Sequence, residues 1–181
     1  LVFWRQLDII QHLEKKGVPV KIGVISDTHL QGCHERLEWI AATIFRDVDL
    51  ILHAGDLVDI AVLDAFASKE VMAVFGNMDP QGVRDVLPEK RVWDIEGRRF
   101  ALVHGWGDPA GIEERLIDYV GPVDCLVYGH THNPVNERWN GTLFFNPGSA
   151  FDRRFAAHNT VGLLDVDKEM TGSIVVLDEF F

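Results

Sequence analysis

The chain has 181 residues, 17 of them Lys or Arg and 28 Asp or Glu, giving a formal net charge of −11, and 47% of it is apolar. That length suits one domain, large enough to bury roughly 68–70% of its unfolded surface without staples. The acidic balance excludes a sequence-nonspecific nucleic-acid binder or a protein seated on anionic lipid, since both need basic faces.

No apolar run approaches the ~20 residues that span a bilayer, and residues 1–21 lack the layout of a signal peptide. Cys33 and Cys125 are too few for a disulfide framework, so a cytoplasmic setting is expected, with no membrane and no nucleic acid as stable partners.

In chain order, Phe3, Leu7, Ile10 and Leu13 share one stripe, so residues 1–20 read as an extension: an amphipathic helix, or a stretch left by cloning or processing. A single domain is expected over 21–181. A short apolar run, Val20 to Ser26, reads as the first buried strand, and Leu37, Ile40, Ala41, Ile44 and Phe45 follow at helical spacing. Leu50 to His53 is the second strand, Val58, Val62, Leu63 and Phe66 a shorter helix, and Val71 to Phe75 the third strand. Phe100 to Val103 and Cys125 to Tyr128 are two more. Between them Ile112, Leu116, Ile117 and Val120 form a helix that stops at Gly121-Pro122.

This alternation predicts a parallel sheet of right-handed βαβ units. From Pro134 onward, Val135 to Trp139, Thr142 to Phe145, Val161 to Val166 and Ser173 to Leu177 are expected to be antiparallel, with Asn140-Gly141 as a hairpin turn. The simplest assembly stacks two sheets face to face with helices outside.

Ligands bind beyond the carboxyl ends of strands in open α/β sheets. The five strands before Pro134 end in Asp27-Thr28-His29, Gly55-Asp56, Gly76-Asn77, His104-Gly105 and Gly129-His130-Thr131-His132. In an extended segment Asp27 pairs with His29, and His130 with His132, on one side, with Thr28 and Thr131 turned away. Carboxylate oxygens, an amide carbonyl and imidazole nitrogens suit manganese, iron, nickel or zinc, whereas the lack of thiolates argues against a structural zinc site. Seven donors exceed the needs of one ion. Two ions about 3.5–4 Å apart with one bridging carboxylate would use them all and leave room for water and substrate.

The ordered series Asp27-x-His29, Gly55-Asp56, Gly76-Asn77-x-Asp79, His104-Gly105 and Gly129-His130-x-His132, followed by Asn146-Pro147-Gly148-Ser149, resembles the calcineurin-like metallophosphoesterase superfamily. The small size and the Asn-Pro-Gly-Ser segment are similar to its compact prokaryotic phosphodiesterases of the YfcE type. The resemblance covers residues 21 to about 177. It implies an α/β fold, a four-layer α/β/β/α sandwich of two mixed β-sheets. It also implies that Asp27, His29 and His132 hold a first divalent ion, that Asp56 bridges, and that Asn77, His104 and His130 hold a second, with manganese favoured over nickel, iron or zinc. Asn146 to Ser149 would be a turn supporting the site.

Related proteins carry Pro-Arg shortly after that turn. Here Asp152-Arg153-Arg154 stands in its place, and Arg154 is the candidate phosphate contact.

The implied activity is that of a metal-dependent phosphodiesterase, in which a metal-bridging hydroxide attacks small phosphodiesters and Asp56, Asn77 and His104 lie at the reacting centre. Many superfamily members have a histidine after the Asn, able to protonate the leaving oxygen; this chain has Met78, which cannot. Esters with good leaving groups are therefore expected over alkyl monoesters. His53 stands ahead of Gly55-Asp56 as either a hydrogen-bonding partner of the site or a buried structural residue.

Two alternatives accompany this reading. One is a phosphomonoesterase or nucleotide phosphatase. The other is a protein-interaction scaffold like the retromer subunit of this fold, whose site lacks part of the histidine set. Five tryptophans and eleven phenylalanines leave room for a homodimer interface beyond the core.

Overall fold

The computed structural model describes residues 9, 10, 13 and 19–180. Strands β1 (Val20–Ile25), β2 (Leu50–His53) and β3 (Glu70–Ala73) are parallel neighbours, with Ile22 opposite Leu50 and Leu52 opposite Met72. The crossover from β1 to β2 carries α1 (Glu35–Ala42), and that from β2 to β3 a 3-10 helix (Ile60–Phe66) where the apolar spacing predicted a helix from Val58. Helix α1 begins where the His34 ring accepts the Arg36 amide at 3.1 Å, and Glu35 and Glu38 in its first turn complement the helix dipole.

After the short α2 (Gln81–Arg84) the chain forms β4 (Lys90–Ile95) and β5 (Arg98–Val103), an antiparallel hairpin whose first strand the sequence reading did not contain. Its turn is Glu96-Gly97, with φ of 51° and 70°. A glutamate rarely occupies the left-handed region, which hides the turn from composition. Helix α3 (Ile112–Val120) ends at Gly121 as expected, followed by β6 (Cys125–Val127), β7 (Val135–Trp139) and β8 (Thr142–Asn146), and then by β9 (Thr160–Val166) and β10 (Met170–Val176).

The five-stranded sheets run β10-β9-β1-β2-β3 and β4-β5-β6-β8-β7. Both are mixed. Asn140-Gly141 closes the β7–β8 hairpin with φ of 50° and 88°, and β9 and β10 are antiparallel. In contrast to the antiparallel expectation for this half, β8 also pairs in parallel with β6. A hairpin turn fixes only its own two strands; which edge the hairpin then docks on is a long-range choice.

Three apolar clusters define the layers. Ile22, Val24, Leu52, Phe100, Leu102, Val127 and Phe145 fill the space between the sheets, α1 and the 3-10 helix cover the outer face of one sheet, and α3 with Ile112 and Leu116 covers the other. Each buried side chain of this kind contributes on the order of 1.5–3 kcal/mol. Together they hold the strand ends rigid, and the polar loops leave from those ends. Of the 1–20 extension, Phe3 and Leu7 lie outside the described residues; Ile9, Ile10 and Leu13 are helical and buried in the inter-sheet cluster. Among the described residues no helix is long and apolar enough to cross a membrane.

Candidate metal centre

The polar loops after β1, β2, β3, β5 and β6 meet at one end of the sandwich, where β1, β2 and β3 run parallel in one sheet and β5 and β6 run parallel in the other. Backbone bonds lace them together. The Asp27 amide donates to the Gly55 carbonyl at 3.0 Å, the His29 amide to the Asp56 carbonyl at 3.0 Å, and the Gly129 amide to the His104 carbonyl at 3.0 Å. A Cβ on Gly129 would overlap Ser26 Oγ and stand 2.8 Å from Asp27 Oδ2, so this crossing requires glycine.

Asp27, His29, Asp56, His130 and His132 all have positive φ, from 50° at His29 to 70° at His130. This corrects the expected extended geometry: Asp27 with His29, and His130 with His132, face the centre because the chain is locally left-handed, not because of strand pleating. Such conformations cost on the order of 1–3 kcal/mol each for non-glycine residues and concentrate at functional sites.

The two carboxylates are used alike. Asp27 Oδ2 accepts from Ser26 Oγ at 2.6 Å and the His130 amide at 3.1 Å, while buried Oδ1 has no hydrogen-bond partner. Oδ1 lies 3.1 Å from His132 Nε2 and 3.9 Å from both His29 Nε2 and His104 Nε2. Asp56 Oδ1 accepts the Met78 amide at 2.7 Å, leaving Oδ2 3.3 Å from His104 Nε2 and 3.9 Å from His29 Nε2. Each carboxylate therefore has one oxygen fastened and one turned inward toward imidazoles.

The histidines are oriented from behind. His104 Nδ1–H donates to the Ala54 carbonyl at 2.7 Å, and His130 Nε2–H donates to the Gly107 carbonyl at 2.9 Å. In the neutral rings this leaves the lone pairs of His104 Nε2 and His130 Nδ1 aimed at Asn77 Oδ1, at 3.1 and 2.9 Å. Three acceptors thus converge with no proton between them, an arrangement that a cation resolves. His29 Nε2 and His132 Nε2 approach to 3.4 Å.

Electrostatics agree. Burial works to lower the His104 pKa, but Asp56 and Asp27 overcome it and lift it to about 9, and His132 is raised by Asp27 and Asp152 against the same opposition. Burial would raise Asp27, yet the nearby His132 and His104 take it below the usual carboxylate range. Carboxylates that draw protons onto imidazoles mark a site where a metal can replace those protons. Asp27, His29 and His132, and likewise Asp27, Asp56 and His104, have ligand atoms within 4.8 Å of one another. The oxygen and nitrogen donors, the orphaned Asp27 Oδ1 and the lone-pair convergence fit divalent cations.

The other expected residues serve as supports. Asp79 is buried and accepts the amides of Val58 at 2.6 Å, Gly76 at 2.7 Å and Asp56 at 3.0 Å, tying the second and third loops; burial raises its pKa. His53 is fully buried. It accepts the Gly55 amide on Nδ1 at 3.3 Å, so Nε2–H faces Thr28 Oγ1 at 3.2 Å, and burial depresses its pKa to about 3. Met78 is 57% exposed at the rim. Asn146 Nδ2 donates to the Gly129 carbonyl at 2.8 Å and Ser149 Oγ to the Asp27 carbonyl at 2.8 Å, so the Asn-Pro-Gly-Ser turn supports two of the ligand loops.

Arg154 does not project freely toward the centre. Asp152 holds its Nε and Nη2 at 2.8 and 2.5 Å, and it is Asp152 that faces the histidines, 3.8 Å from His132 Nδ1 and 4.0 Å from His29 Nε2. Sequence reasoning weighed the cation of Asp152-Arg153-Arg154 and missed the carboxylate. The signal was present in the acid that replaces the expected proline neighbourhood.

The sequence matches the calcineurin-like phosphoesterase superfamily domain over residues 20–169. It is 39% identical over 133 residues to a probable metallophosphoesterase of Methanothermobacter thermautotrophicus, covering 71% of this chain and 76% of that protein. It is 30% identical over 174 residues to a phosphodiesterase of Methanocaldococcus jannaschii, covering 87% of this chain and 99% of the relative. The solved structure of YfcE, a phosphoesterase from E. coli, superposes with a TM-score of 0.67 at 22% identity over 88% of this chain and 94% of its own, a likeness of fold. With the family domain spanning both sheets and the ligand loops between them, the chain belongs to the calcineurin-like phosphoesterase superfamily of hydrolases.

Proposed function

We propose that this chain hydrolyses small phosphodiesters using two divalent cations, with manganese favoured. Asp27, His29 and His132 would hold one, Asn77, His104 and His130 the other, and Asp56 would lie between them. The observation that supports this best is the convergence of His104 Nε2 and His130 Nδ1 on Asn77 Oδ1 beside the inward oxygens of Asp27 and Asp56. Bound ions of this kind supply positive charge to the phosphoryl oxygens and lower the pKa of a water nucleophile.

The protein's own groups set the specificity. Ala54 and Gly107 carbonyls keep the two imidazoles in the tautomer that presents a lone pair, and Asp79 fixes the backbone from which Asp56 and Asn77 extend. Position 78 offers the Asp56 carboxylate a backbone amide but the leaving oxygen no side-chain proton, so a leaving group that departs as a stable anion is favoured. A net charge of −11 works against long polyanions and leaves small esters as substrates. Cys33, exposed, and Cys125, buried, are both free thiols, which suits a reducing compartment such as the cytoplasm.

The test is turnover of bis(4-nitrophenyl) phosphate against 4-nitrophenyl phosphate after chelation and readdition of manganese, nickel, zinc or magnesium. Preference for the diester, lost on chelation and restored by manganese, is the expected result. Failure of every metal to restore turnover overturns the reading.

A further inference from the structure

The loops that carry Asn77 and His104 also border a cleft of about 180 Å³, lined by Phe75, Asn77, Arg84, Glu89, His104 and Trp106. Its walls are aromatic and braced. Trp106 is 39% exposed, its ring meets Tyr119 edge-on at 5.1 Å, and its carbonyl accepts from Arg115 Nη2 at 3.1 Å. On the other side the Arg84 guanidinium stands 5.1 Å from the Phe75 ring centroid. That guanidinium donates to the carbonyls of Asp79 at 2.7 Å, Asn77 at 2.9 Å and Gly76 at 3.1 Å. Arg84 thereby holds the loop of Asn77 through Nε and Nη2 and keeps its positive charge at the cleft wall. The Glu89 carboxylate is set beside the Tyr119 hydroxyl, and Lys90 Nζ stands 3.8 Å from the centroid of the same ring.

An apolar cavity of ~150 Å³ takes up one benzene ring, so this cleft matches a single flat ring and is too small for an extended chain. It opens onto Asn77 and His104, where a phosphate held by the proposed cations would sit. The geometry points to this cleft as the seat of one ester arm of the substrate, an aromatic ring. This rests on the phosphoesterase reading above and adds its substrate class: ring-bearing phosphate esters rather than alkyl esters.

Calorimetric binding of phenyl phosphate and methyl phosphate to the manganese-loaded protein tests it, because only the first has a ring. Phenyl phosphate is expected to bind about tenfold more tightly. Trp106→Ala should reduce that ratio to below about threefold, and Trp106→Phe should keep most of it. Equal affinity for the two simple esters, or a ratio untouched by Trp106→Ala, overturns the cleft assignment and leaves the phosphoesterase reading standing. Absence of binding by either ester overturns the inference, while turnover of the diester decides the phosphoesterase reading separately.

Discussion

The two halves of the proposed metal centre are built from similar donors but supported differently. In the half formed by Asn77, His104 and His130, both imidazoles donate to backbone carbonyls, those of Ala54 and Gly107, and Asp79 ties down the loops on which Asp56 and Asn77 ride. In the half formed by His29 and His132 with Asp27, His132 Nδ1 is buried without a hydrogen bond and faces a side-chain carboxylate, Asp152, at 3.8 Å. Backbone carbonyls are fixed by the sheet, whereas Asp152 lies on a loop between β8 and β9 and is itself clasped by exposed Arg154. The first arrangement is preorganised by the fold. The second depends on one acidic side chain, and its ion is expected to exchange more readily.

The largest effect should come from the group both halves share. Asp56→Asn removes the inward charge that faces His104 and His29, and diesterase activity should fall by on the order of 10³-fold, beyond the 10–100-fold of an outer partner. Loss of less than tenfold in steady-state turnover would show that Asp27 alone unites the halves.

Met78→His adds a proton donor to the braced half only. Its expected effect is a rise in monoesterase over diesterase activity toward the lower end of the 10²–10⁴-fold range of a positioned general acid, read as a ratio of kcat/KM values. An unchanged ratio with metal content intact rules out this role for position 78.

The comparison itself is tested by Asp152→Asn beside Asp79→Asn. Metal titration should show Asp152→Asn weakening one ion by about tenfold, and Asp79→Asn weakening the other by between about tenfold and a hundredfold. Equal weakening of both ions by both variants would mean that the halves are not separately supported.

The smallest effect concerns His53, which joins the loops of Thr28 and Gly55. Its folded pKa of about 3 lies below the unfolded value of 6.5, so the unfolded chain binds the extra proton between those limits. Its contribution is complete above pH 6.5 and declines as pH falls, by about 1.4 kcal/mol per unit. His104 and His132 shift the other way, so the readout is a difference: between pH 7.5 and pH 5, denaturant unfolding of the metal-free protein should show wild type losing about 2 kcal/mol relative to His53→Gln. A parallel loss in the variant would assign acid sensitivity elsewhere.

Much of this arrangement was legible from residue order. Buried strands with β-branched runs ended in short polar motifs, and those motifs contain the seven expected donors, though not Asp152, which also faces the histidines. Periodicity also located α1 and α3, because one apolar face per helix is a local pattern. Strand β4 escaped because Lys90–Ile95 alternates weakly and turns back through Glu96-Gly97, where a glutamate takes a conformation usually left to glycine or asparagine. Asp152 escaped for another reason: its role depends on His132, far away in sequence, with a ring nitrogen that lacks a partner.

By itself the sequence determined the candidate donor set, its order along the chain and the lack of a side-chain proton donor at position 78, since these are matters of residue identity and spacing. Tertiary structure decided which nitrogen of each imidazole faces inward, that Asp27 as well as Asp56 reaches both histidine groups, and that Arg154 is held by Asp152. Each of those depends on backbone carbonyls and left-handed loops brought together by two stacked sheets. Contacts of that kind join residues a hundred or more positions apart, as when the His130 amide reaches Asp27 Oδ2, and no local pattern encodes them.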